Sequence, residues 1–140
     1  MSWDIYIQDL PNVLTISDVP ADFVPAPIGT QGALIAKLLE VVPFAKRQDH
    51  LLIIDRPEVS MEISVLPNED SDEVRCIALF VRGGSIASEC VAAIVHALGR
   101  RALDTGTGDF FDPPSPEIGY ARWASFRDQA LDEGPFPSRT

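Results

Sequence analysis

Residues 74–104 read VRCIALFVRGGSIASECVAAIVHALGRRALD, and the parsing of this stretch decides the fold. From Cys76 to Val81 every residue is apolar. Such a run predicts a central strand covered on both faces. Gly83 and Gly84 break it, and Ser85 stands where a helix N-cap is wanted. Ile86, Cys90, Val91, Ile94, Val95 and Leu98 then recur with the period of one helix face, with Glu89, Ala92 and His96 opposite. Gly99 suits the left-handed position that ends a helix, and residues 100–104 give a short last strand. The unit is strand–helix–strand, free of proline. If its two strands share a sheet, side by side or one apart, the crossover makes them parallel, with both C-terminal ends on one edge.

Upstream, residues 59–66 alternate, with Val59, Met61, Ile63 and Val65 on one side and Ser60, Glu62 and Ser64 on the other. Residues 51–55 are a shorter apolar run. Residues 68–73 form a charged turn that predicts a solvated hairpin tip. Residues 31–42 read as a first helix: Thr30 is the N-cap, Leu34, Ile35, Leu38, Leu39 and Val42 form the stripe, and Pro43 marks the stop. At the start, Trp3, Ile5 and Ile7 alternate with Asp4, Tyr6 and Gln8, the period of a half-buried strand. Pro11, Pro20, Pro25 and Pro27 keep the following stretch in an ordered loop. Downstream, Pro113, Pro114 and Pro116 make a stiff linker. Residues 117–131 then predict a helix with Ile118, Trp123, Phe126 and Ala130 on one side, before a loose end.

The expected fold is α+β: a two-layer sandwich, a mainly antiparallel sheet of about five strands with two amphipathic helices on one face. Residues 1–112 form the domain, and residues 113–140 a proline-rich linker and helical tail packing on it.

Composition narrows the function classes. The chain has 140 residues, with 21 acidic against 11 basic side chains and a net charge of −10. Phosphate contacts need Lys and Arg, so nucleic acid is not the expected partner. No apolar run approaches the ~18 residues of a membrane span. A domain of this size buries roughly 68–70% of its unfolded surface, so no metal, cofactor or disulfide staple is expected. No basic residue precedes Lys37, against a secretory signal. Cys76 and Cys90 sit in apolar segments without C-x-x-C spacing, which predicts free thiols in a reducing compartment and a cytoplasmic location.

Three patches carry a resemblance: residues 1–9 (MSWDIYIQD), residues 79–84 (LFVRGG), and residues 101–104 (RALD) with 107–111 (TGDFF). Over residues 1–112 the chain resembles a family of small bacterial proteins with a similar Ser-Trp-Asp strand and an Arg-Gly-Gly turn before the second helix. The resemblance implies no catalytic set. Small acidic domains of this kind serve as immunity proteins beside bacterial toxins, and that is the function it implies.

Few residues point to chemistry. Asp104-Thr105-Gly106 copies the loop of aspartic proteases, but that chemistry needs two such carboxylates, and a turn after a strand explains an Asp and two glycines. Arg82, Gly83, Gly84 and Ser85 join a strand to a helix start, where free N–H groups hold anions. The motif is neither a P-loop nor a dinucleotide fingerprint, which favours a tight turn. With Asp104 on the same edge, these residues form the candidate ligand site, against the plainer reading of an Arg82–Asp104 ion pair. His50 and His96 have no partner at metal-ligand spacing. Glu69, Asp70, Asp72 and Glu73 lack the glycine and terminal Glu of a calcium loop and form the candidate docking patch for a basic partner.

The resulting expectation is a non-catalytic acidic binding protein, of immunity or regulatory type, that blocks a basic, toxin-like protein. The alternative is a small enzyme or anion and small-ligand binder at Arg82, Ser85 and Asp104.

Overall fold

The computed structural model describes residues 2–67, 69–111 and 115–133. In chain order the elements are β1 (Trp3–Gln8), β2 (Gly29–Thr30), α1 (Gln31–Val41), β3 (Lys46–Gln48), β4 (Leu51–Asp55), β5 (Ser60–Ser64), β6 (Glu73–Val74), β7 (Cys76–Gly83), α2 (Ala87–Leu98), β8 (Arg101–Asp104), β9 (Asp109–Phe110) and α3 (Glu117–Glu133). One 3₁₀ turn, Ile16–Asp18, interrupts the first loop.

The main sheet has seven strands in the order β3-β4-β5-β7-β1-β8-β9, and every pairing is antiparallel. The five strands legible in the sequence are its middle, and the short β3 and β9 extend it at either edge. β2 and β6 pair separately. Both β7 and β8 run antiparallel to β1, which lies between them, so they are parallel to each other and one strand apart.

Strand alternation sends Trp3, Ile5, Ile7, Met61, Ile63, Ile77, Leu79 and Val81 to one face, where each is at most 1% exposed. Leu34, Ile35 and Leu38 of α1 and Ala87, Val91, Ile94 and Val95 of α2 close over them. At roughly 1.5–3 kcal/mol for each fully buried aliphatic or aromatic side chain, this layer is the main source of stability. Thr30 caps α1 as expected, its side chain accepting from the Ala33 N–H at 3.4 Å. Gly99 ends α2 with φ +62°.

Three expectations are corrected. The apolar run of β7 is not covered on both faces. Its second-face residues Cys76, Ala78 and Phe80 stay half-buried, because the helices pack toward the first face. Ser85 is not the cap of α2, whose N-cap is Ile86 without a side-chain cap bond. In α3, among the described side chains, Trp123 is buried as expected, beside half-buried Tyr120, but Ile118 is 57% exposed. Phe126 and Ala130 fall outside the described side chains, as do the linker at 112–114 and the end from 134.

Candidate functional site

The C-terminal ends of β7 and β8 do share one edge of the sheet, but register separates the residues expected to meet there. Trp3 pairs with Val81 and Ile5 with Asp104. Asp104 therefore lies on the core face with Ile5, whereas Arg82, one residue past Val81, points to the second face with Phe80. There Arg82 Nη2 donates to Glu62 Oε1 at 2.8 Å. An Arg82–Glu62 pair stands where an Arg82–Asp104 pair was expected, and the sheet itself divides the two.

Asp104 is 2% exposed. Its Oδ1 accepts hydrogen bonds from Trp3 Nε1 and from the Gly106 N–H, each at 2.7 Å. Its backbone carbonyl accepts from the Gly108 N–H at 2.8 Å. The Asp-Thr-Gly motif is thus a turn that clamps an indole. Oδ2 faces Gly119 in the first turn of α3, so closely that a Cβ there would overlap it. The positive end of the helix dipole favours a carboxylate at that place. Tyr120 meets Trp3 edge-on at 5.4 Å, and Trp123 packs on Tyr120 at 5.6 Å. α3 therefore closes the edge where a ligand was expected. The space left is about 170 Å³, lined by Asp104, Thr107, Asp109, Phe110 and Ser115 among others.

At the turn between β7 and α2 the amides of the N-cap Ile86 and of the first helical residue Ala87 are both occupied. Gly84 has φ +123°, and a Cβ on it would overlap the Glu58 carbonyl. That close approach lets the Ile86 N–H donate to Glu58 O at 3.0 Å, while the Ala87 N–H donates to Gly84 O at 3.2 Å. Ser85 is left exposed.

The acidic segment is better ordered than a hairpin tip. The first two N–H groups of α1, from Gln31 and Gly32, donate to the carbonyls of Asp72 and Asp70, each at 2.9 Å. Glu73 pairs with Thr30 between β6 and β2. Arg47 Nη2 reaches Asp70 Oδ1 at 2.6 Å, and Asp72 Oδ2 accepts from the Glu69 N–H at 3.2 Å. Glu69, Asp70, Asp72 and Glu73 thus stand on one fixed platform, three exposed and Asp72 half-buried.

The chain matches no family model, no curated protein and no solved structure. Its function is read from its own geometry.

That geometry includes a feature the sequence reading missed. On the second face Leu51, Ser64, Ala78, Tyr6, Leu103 and Phe110 stand in register across six strands. Ser64 and Ala78 are small, so an open trough of about 490 Å³ runs beside Tyr6, with Cys76, Leu66, Pro67, Glu73 and Arg75 in its walls. Burial pushes the Tyr6 phenol above its ordinary 10.0, with the nearby Asp4 and Cys76 adding to the shift. Burial also raises the Cys76 thiol, against a hydrogen bond from Gln8. Both groups are neutral at pH 7. The signal was present in the alternation of β1, which puts Tyr6 opposite Trp3, Ile5 and Ile7.

Proposed function

We propose that the protein is a non-catalytic, acidic binding protein of immunity or regulatory type that occludes a basic protein partner in the cytoplasm, without a cofactor and without binding nucleic acid. The observation that carries this reading is the ordered acidic platform at residues 69–73 on a chain of net charge −10. A fixed group of carboxylates concentrates negative potential and steers cationic partners. The alternative, a small-ligand site at Arg82, Ser85 and Asp104, is disfavoured by the opposite faces of Arg82 and Asp104 and by the cover of α3. No helix among the described residues is long and apolar enough to cross a membrane.

The test places a photo-crosslinking side chain at Glu69 in producing cells. The captured protein is then purified and its association rate measured in salt from about 0.05 to about 0.5 M, a range over which exposed charges become screened. The reading expects a captured protein rich in Lys and Arg and an on-rate that falls by about tenfold or more. A neutral or acidic captured protein, or an on-rate indifferent to salt, contradicts it.

A further inference from the structure

We propose that the trough on the second sheet face is the docking groove for an amphipathic basic segment of the partner, with apolar side chains along one side and Lys or Arg at one end. The inference rests on the basic-partner reading above and names the surface that serves it.

The floor is apolar and shallow: Ala78 sits between Ser64 and Tyr6 in one cross-strand row, and Leu66, 51% exposed, stands at the rim. An exposed apolar strip of this kind gains by being covered. One wall continues directly into the acidic platform, because Glu73 lines the trough and Pro67 lies just before residues 69–72. Four carboxylates stand there against two guanidiniums: Arg47 pairs with Asp70, and Arg75, in the trough wall beside Glu73, keeps its charge while donating to the Pro25 carbonyl at 2.8 Å, so the balance is two negative charges (4 − 2). A segment that fills the floor therefore meets net negative charge at that end.

The groove is also held in shape before anything binds. Gln31, fully buried, donates from Nε2 to the Val65 carbonyl at 2.6 Å and to the Pro67 carbonyl. A preset wall lowers the ordering cost of association. A second copy of the chain carries the same net charge of −10, which opposes self-association at this face, so the occupant proposed is the basic segment.

The test uses the full chain and two synthetic probes, an amphipathic Leu/Lys peptide and its Leu/Glu counterpart, with binding read by fluorescence anisotropy. Ala78→Gln fills the floor without adding charge, and Leu66→Ser strips the rim, so one variant serves if the other fails to melt cooperatively. A third variant neutralises the platform: Glu69→Gln, Asp70→Asn, Asp72→Asn and Glu73→Gln together. The expected result is that Leu/Lys binds, Leu/Glu does not, and Ala78→Gln or Leu66→Ser raises the Kd by about tenfold or more. Leu/Lys binding that survives both floor variants but vanishes on neutralisation overturns the groove and leaves the basic-partner reading standing. Leu/Lys binding that is absent, or indifferent to all three variants, overturns both. A wild-type dimer in sedimentation that Ala78→Gln dissociates gives the groove to a second copy and overturns the proposal.

Discussion

Asp104 is the residue on which the C-terminal edge depends. It accepts from Trp3 Nε1 and the Gly106 N–H and faces the first turn of α3. Asp104→Ala leaves two donors without a partner, one buried and one part-buried, and each such loss costs about 1–3 kcal/mol, so the variant should lose about 2–6 kcal/mol. Asp104→Asn keeps one oxygen for the indole and should lose less. Urea midpoints of the two variants check this, and equal midpoints contradict it. Gly84 is a second such residue. A Cβ at its φ of +123° overlaps the Glu58 carbonyl, so Gly84→Ala combines backbone strain with overpacking and should lose at least about 3 kcal/mol. A Gly84→Ala protein that melts within a few degrees of wild type would show that this turn yields. Neither environment was legible in the sequence. An Asp-Thr-Gly turn announces its glycine but not the indole 101 residues upstream that bonds to it.

Among the elements, the five middle strands of the main sheet and the first two helices were readable because burial follows period. Alternation in β1 and β5 and the 3.6-residue stripes of α1 and α2 reappear as their buried faces, except that Ile86 precedes α2 and is 37% exposed. The short edges β3 and β9 were not, since three exposed residues such as Lys46–Gln48 carry no periodic signal. In α3 Trp123 is buried as expected but Ile118 is not, because the contact is made by Gly119, Tyr120 and Trp123 around one carboxylate. Gly119→Ala separates helix propensity from docking. Alanine is the better helix former by about 1 kcal/mol, yet its Cβ overlaps Asp104 Oδ2. Hydrogen exchange should show α3 amides losing protection while β1, β5 and β7 keep theirs. Unchanged or increased protection in α3 would contradict the close contact.

For the whole molecule, the two half-buried thiols predict how stability responds to alkali. Burial pushes Cys90 up from its ordinary 9.0 to about 11, and burial also raises Cys76. The folded chain then holds these protons more tightly than the unfolded chain. The associated stability is complete below pH 9 and is lost as pH rises toward about 11. Urea midpoints of wild type should fall across that window, and Cys90→Ala should fall less steeply. Parallel curves for the two proteins would contradict this.

At this scale the net charge was legible at once, but its arrangement was not. The platform is assembled by amides of α1 some forty residues upstream of the backbone carbonyls they bind, and the groove by the register of β5, β7 and β1. The competing sites lie apart on the molecule: the second-face trough with its platform, and the edge under α3. Hydrogen exchange with and without the Leu/Lys peptide tells them apart most directly. The account predicts new protection confined to β1, β5, β7 and residues 66–75, with residues 104–119 unchanged. Protection appearing at residues 104–119, with the trough unaffected, would contradict it and restore the edge of Asp104 as the working surface.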